Sequence, residues 1–312
     1  MNRQLSAFEQ QSQRNVGGFM KGILVKRLES SFYAFKNTLR RFIESYEKFI
    51  EMFDDGTIYI SKQVDVYDLL ERDNEDELLR LVEEDKVTKY PSRDFASSFR
   101  DHLLFDLELL HDIQDLWQDI TDDPKLNQFV EELRHHSLLK GKKVIIFTES
   151  SETAQYLYRN LESEFPSKAL QFSSSGGLYN GESISNSVAR SVILENYDPR
   201  QRNKKNDIRI LITTDVLAEG VNLHRSNIVI NYDLPWNPTR VLQRVGRVNR
   251  VGTEHKNVYI FNFFPTAQSS RHLNLEDNVK TKIQAFHDML GEDARYLTDE
   301  EAVTQHELFG DR

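Results

Sequence analysis

Between Lys143 and Phe264 short apolar, β-branched runs alternate with amphipathic helical segments, and that alternation leaves few folds open. Lys143 to Thr148 reads K-V-I-I-F-T, a run with no polar face, as expected of a strand buried on both sides. Ser151 is placed to cap a helix running to about Glu164, and Ala169 to Phe172 reads as a second strand. A Ser/Gly segment, Ser173 to Glu182, is expected to be a loop, on the surface or facing a ligand. A helix from Asn186 to about Tyr197 follows, then strands at Ile208 to Ile212, Asn227 to Asn231 and Asn257 to Phe264. Strands separated by helices need right-handed crossovers between parallel neighbours, so the expected architecture is an α/β, doubly wound parallel sheet.

One helix in this segment has an unusual composition. Asn237 to Gly252 reads N-P-T-R-V-L-Q-R-V-G-R-V-N-R-V-G, with Asn237 as N-cap, Pro238 at the first helical position and Gly252 as the stop. Val241, Val245 and Val248 fall at i, i+4 and i+7 and define an apolar face. Gln243, Arg247 and Arg250 repeat that spacing two residues on, about 200° round the helix, and define a polar one. Guanidinium forks stay charged and match phosphate oxygens, so the stripe suits a shared anion. An ordinary solvated helix face is the competing reading of this helix taken alone.

The flanking regions read differently. Met1 to Gly18 is polar and Gln/Ser-rich. From Val25 to Phe53 apolar residues recur in alternating steps of three and four, through Phe35, Leu39, Phe42 and Tyr46, as a long helix with a packing seam. Thr57 to Arg93 is charged, with a helix expected around Glu75 to Glu84. Phe99 to Ile120 carries Leu103, Leu107, Leu110, Ile113 and Trp117 on one side and is expected to close against the first helix as an antiparallel hairpin. With a helix from Pro124 to Leu133, residues 1–137 are expected to be all helical, 138–267 to form the sheet domain, and 268–312 to be a helical extension striped by Leu275, Val279, Ile283, Phe286 and Leu290.

Charge is unevenly distributed along the chain. The net charge of −10 argues mildly against a nucleic-acid binder. Yet acids outnumber bases roughly three to one from Asp65 to Asp123, while bases lead about two to one from Arg200 to Lys256, where the arginine helix lies. Zero cysteines exclude disulfides and thiolate metal sites and fit a cytoplasmic setting; the nine histidines fall in no zinc-like pattern. No apolar run approaches a membrane span, and no membrane partner is expected.

In an open parallel sheet, ligands gather at the carboxyl ends of strands. Thr213-Thr214-Asp215 follows one expected strand, Glu219-Gly220-Val221-Asn222 offers a turn with exposed amides, and Tyr232-Asp233-Leu234-Pro235-Trp236 follows the next. In order, T-T-D-V-L-A-E-G-V-N-L, N-Y-D-L-P-W-N-P and Q-R-V-G-R-V-N-R resemble motifs V and VI of superfamily-two helicases. V-I-I-F-T-E-S, Val144 to Ser150, resembles motif IV. The D-L-P-W-N-P link is similar to Swi/Snf-type DNA translocases and their bacterial relatives, as is, less closely, Gly22 to Phe35. The resemblance covers about Lys142 to Pro265 and implies a RecA-like second lobe, with the helical hairpin as its protrusion.

It further implies that Arg247 and Arg250 act as arginine fingers on the γ-phosphate of ATP held, with Mg2+, by a first RecA-like lobe. Gln243, Gly220 and Asn222 would then lie at the nucleotide, and Thr214 and Thr148 at the backbone of a nucleic acid, double-stranded DNA in the Swi/Snf case. No G-x-x-x-x-G-K-[ST] and no Asp-Glu box following an apolar strand occurs in the sequence. The expectation is therefore the C-terminal half of an ATP-dependent enzyme, binding ATP weakly and not hydrolysing it alone, with no metal of its own. Two departures stand out: Ala218-Glu219-Gly220 replaces a Gly-Gly pair common in chromatin-type enzymes, and the Ser173–Glu182 segment is longer than the family suggests. The competing class is a non-catalytic adaptor with a vestigial RecA-like lobe, whose acidic hairpin binds a protein partner.

Overall fold

A computed structural model describes residues 20–60, 88–218, 221–235, 238–249, 255–264 and 266. The chain divides into two compact units, one built mainly on residues up to Asp123 and the other beginning at Pro124. The expected helices around Glu75 to Glu84 and over Gln268 to Arg312 lie outside the described residues.

In the first unit, helical residues 20–30 lead into α1 (Phe32–Asp54). The single long helix implied by the apolar seam is broken at Ser31, which adopts an extended conformation, φ −162° and ψ 152°. Its hydroxyl accepts from the Ala34 amide at 3.1 Å, a local bond that competes with helix continuation. Gly56, with φ +83°, follows the end of α1. Thr57–Ile60 (β1) then pairs antiparallel with Thr88–Pro91 (β2), Thr57 opposite Pro91 and Ile60 opposite Thr88. The all-helical expectation for residues 1–137 is therefore corrected: the β-branched T-I-Y-I run favours a strand, and charge in the surrounding sequence concealed it.

Helix α2 (Phe99–Gln118) runs antiparallel to α1. Arg100 forks onto Asp54 at 2.6 and 2.7 Å at one end, and the Lys36 ammonium donates to the Ile120 carbonyl at 2.7 Å at the other. Between them Phe35, Leu39, Ile43 and Leu110 form a small core, edged by Trp117, which meets Phe32 and Phe35 ring to ring at 4.8 Å.

The second unit is the α/β sheet. Its elements are α3 (Pro124–His135), β3 (Val144–Phe147), α4 (Ser151–Glu164), β4 (Ala169–Ser173), β5 (Gly176–Tyr179), β6 (Glu182–Ile184), α5 (Asn186–Tyr197), β7 (Ile210–Thr213), β8 (Ile228–Asn231), α6 (Pro238–Gly246) and β9 (Tyr259–Asn262). The seven strands lie in the order β6-β5-β4-β7-β3-β8-β9, parallel from β4 to β9. Strand pleating sends Val144 and Ile146 into a core with Phe129, Leu157 and Ile230. It sends Ile145 and Phe147 into an opposite core with Leu170, Ile193 and Val229. Both faces of β3, β7 and β8 are thus buried, as their unbroken apolar sequences require. Ser150, rather than Ser151, caps α4, its hydroxyl accepting from the Thr153 amide at 3.4 Å.

The Ser173–Glu182 segment is not a loop. It folds into β5, antiparallel to β4, and the start of β6, antiparallel to β5, which together extend the sheet. The connection from Tyr179 to Glu182 is the two-residue turn Asn180-Gly181, both with positive φ (51° and 78°), as a hairpin of primed type demands. Gly177 allows α5 to lie against the sheet. A Cβ there would sit 2.8 Å from the Gln171 carbonyl oxygen and 2.9 Å from the Ala189 Cβ. Overpacking of this kind costs about 1–3 kcal/mol, so Gly177→Ala should lower the urea midpoint accordingly. An unchanged midpoint would mean that the edge hairpin does not pack as described.

Candidate functional site

Three strand ends and one helix meet at the carboxyl edge of the sheet, and a single side chain ties them together. Arg244, in the last turn of α6, is fully buried. Its Nε and Nη2 donate to the two carboxylate oxygens of Asp215 at 2.7 and 3.0 Å, a bidentate fork onto the residue just past β7. Nη2 also donates to Glu149, after β3, and Nη1 to the Asn231 amide oxygen, at the end of β8, at 2.9 Å. The Phe147 ring lies 5.2 Å from the guanidinium carbon. Arg240, one turn earlier, adds a second cation on Asp215 at 3.0 Å.

Sequence reasoning missed Arg244. It follows Gln243 in the chain and sits next to Val241 and Val245 on the wheel, on the side that packs inward. The signal that could have found it was the pair of acids, Glu149 and Asp215, each just beyond an apolar strand. A cation on the buried face of a neighbouring helix is what such carboxylates need.

Electrostatics in this network are reciprocal. Burial alone would pull the Arg244 guanidinium down, but Asp215 and Glu149 outweigh it and hold the group cationic. Burial alone would lift the Asp215 carboxyl, but Arg244 and Arg240 outweigh it and hold the carboxyl below its ordinary value. A carboxyl depressed on folding contributes its full stabilisation above its unfolded value, about pH 4, and loses it as pH falls through the folded value. Acid unfolding of this unit should accordingly steepen below about pH 4, and Asp215→Asn should flatten that limb. Identical acid limbs for the two proteins in urea titrations would argue against the network.

A second set of bonds fixes the strand ends themselves. The Thr148 hydroxyl and the Glu149 amide both donate to the Asp233 carboxylate at 2.6 Å. The Leu223 amide donates to the Arg247 carbonyl at 3.2 Å, holding the segment that carries Asn222 against the end of the arginine helix.

The residues singled out in the sequence are distributed as follows. Val241, Val245 and Val248 are buried, and Gln243 is exposed on the other side of α6, as the wheel requires. Arg247 is half-buried. The helix is shorter than expected: it ends at Gly246, and residues 247–249 form a tight turn in which the Val248 amide donates to the Val245 carbonyl at 2.9 Å. Asn237, Gly220 and Arg250 lie outside the described residues. Asn222 is half-buried, its amide 3.5 Å from Asp198. Thr214 is buried, and Thr148 is fully buried with its hydroxyl donating to Asp233. Among the described residues no group of acidic and histidine side chains is placed to hold a metal ion.

The helicase conserved C-terminal domain family matches residues 124–252, from the start of α3 through the arginine helix. The ATP-dependent RNA helicase uap56 of Schizosaccharomyces pombe is 35% identical over 146 residues, 46% of this chain and 29% of its own length. An uncharacterized ATP-dependent helicase of Bacillus subtilis, YqhH, is 42% identical over 88 residues, 27% of this chain and 15% of its own length. The matches thus span less than a third of either relative. Among solved structures, the C-terminal part of the Fun30 ATPase domain aligns at 18% identity with a TM-score of 0.40, over 78% of this chain and 72% of that one.

Proposed function

We propose that residues 124–252, a superfamily-two helicase C-terminal domain, work as the second motor lobe of an ATP-dependent nucleic-acid translocase. In this reading Gln243 on α6, Arg247 in the turn that follows it, and Arg250 face a nucleotide held by a first lobe. The observation that carries it is the division of labour on α6. Arg244 and Arg240 are spent inside the protein, locking the helix to three strand ends, whereas Gln243 on the same helix stays exposed. Gly246 adds support, because a Cβ there would meet nothing within 4 Å among the described residues. Neither packing in the described protein nor a positive φ calls for glycine at this position, which suits the close approach of a surface from outside.

In phosphoryl transfer the protein's part is mostly positioning and electrostatic stabilisation. A rigid helix bearing forked cations can supply that once the lobes close. The ATP and Mg2+ would be held by the first lobe, and the edge described here would complete the site.

For the track, duplex DNA is the reading we favour, on the D-L-P-W-N-P link. RNA is the alternative, because relatives such as uap56 carry the name RNA helicase. ATPase stimulation of the two-lobe enzyme by duplex DNA and by single-stranded RNA separates them. The stimulating polymer should also show a log–log salt slope of about −0.9 per phosphate contact for duplex, or about −0.7 for a single strand. Stimulation by neither would favour the non-catalytic adaptor.

A further inference from the structure

We propose that the outward face of α2 is a docking surface for a lysine- or arginine-rich amphipathic helix of another polypeptide. The inference is independent of the motor reading, since it rests on the hairpin unit alone.

Helix α2 has two apolar faces, and α1 covers only one of them. Leu107, Leu110, Ile113 and Trp117 pack toward α1. On an adjoining face, about 115° round the wheel, Phe105, Leu109 and Leu116 fall at i, i+4 and i+11, within about 40° of one another. They are 60%, 45% and 75% exposed, and Ile120, 39% exposed, continues the line beyond the helix end. Scattered exposed apolar side chains are ordinary, but an aligned row of this length on a helix is the kind of surface that partners cover. Exposed Asp101, Glu108, Asp112 and Asp119 run along the same row. Within α2 itself five acids stand against one base, Arg100, and that base is already forked onto Asp54.

Charge selects the occupant. A second copy of this chain would bring the same acids against these and be repelled. The chain's own outlying segments are no better matched: residues 61–87 hold ten acids against four bases, residues 267–312 ten against five, and residues 1–19 only two bases against one acid, too little charge to answer this row. Nucleic acid and anionic lipid are repelled for the same reason. A helix with leucine-like residues at i, i+3, i+4 and i+7 and cations on either side satisfies both the row and its acidic flank, the helix-in-groove mode of recognition.

The test uses the full chain and a fluorescent lysine/leucine amphipathic peptide of roughly five helical turns. A peptide of the same composition, scrambled to destroy the apolar face, is the control. The amphipathic peptide should bind, and Phe105→Ser combined with Leu116→Ser should weaken it tenfold or more. Both positions are exposed, so the helical circular dichroism should be unchanged. Asp112→Asn combined with Asp119→Asn should reduce the salt dependence of binding. Equal binding of the scrambled peptide, or indifference to the serine pair, would overturn the proposal. So would a concentration-dependent dimer abolished by the same pair, which would make a second copy the occupant.

Discussion

In the two-lobe enzyme, Arg250→Lys is expected to lower ATP turnover nearly as far as Arg250→Ala, and Arg247→Ala to do the same, each by about 10³–10⁵-fold. The size follows from what a finger supplies: charge placed where phosphoryl oxygens accumulate it in the transition state, roughly 4–7 kcal/mol of barrier. Lysine keeps the charge and loses the planar fork, so it cannot bridge two oxygens at once. If, as proposed, a first lobe holds the ground-state nucleotide, affinity for ATP should change far less than turnover. Steady-state kinetics with saturating nucleic acid separate the two effects. Wild-type turnover in Arg250→Ala would remove Arg250 from the chemistry, and near-complete rescue by lysine would reduce its role to simple charge.

Arg244→Ala should act on stability, and strongly. The substitution takes the buried Arg244 partner from Glu149 and leaves Asp215 with Arg240 alone as its counter-charge. Breaking a buried pair by removing one partner costs about 3–5 kcal/mol, a large share of the roughly 5–15 kcal/mol that stabilises a typical domain. Gln243→Ala, one residue away but exposed, should move stability by no more than about 0.5 kcal/mol. Adding Asp215→Asn and Glu149→Gln to Arg244→Met should recover much of the loss, since neutral partners no longer need a counter-charge. Urea unfolding of the four proteins tests the set. A loss under about 1 kcal/mol for Arg244→Ala would mean that water reaches the carboxylates and that the network is not the clamp described.

The sheet was legible because fully buried strands have to be apolar on both faces, which makes β3, β7 and β8 stand out against any background. The antiparallel edge was not, because β5 and β6 are short and glycine-bearing, and their Ser/Gly composition reads as loop. Asn180-Gly181 was the missed clue, a two-residue turn signal between runs that can pair. Helix periodicity placed Val241 and Val245 on the buried face of α6 and Gln243 on the exposed one, but gave no role to Arg244. Whether an arginine points inward depends on carboxylates distant in sequence. Glu149 lies 95 residues before Arg244, and no local window joins them. The Thr148 hydroxyl is bonded in the same long-range way, to Asp233, 85 residues away.

Arginine-specific labelling of the two-lobe enzyme with phenylglyoxal, read by mass spectrometry, tests the central geometry most directly. The proposed function predicts that half-buried Arg247, in the turn after α6, is modified in the free enzyme and protected when ADP–aluminium fluoride closes the lobes. Buried Arg244 should stay unmodified in both states and serve as the internal reference. Arg247 that labels equally with and without the nucleotide analogue, while ATP turnover proceeds, would contradict a helix that faces the reacting phosphate.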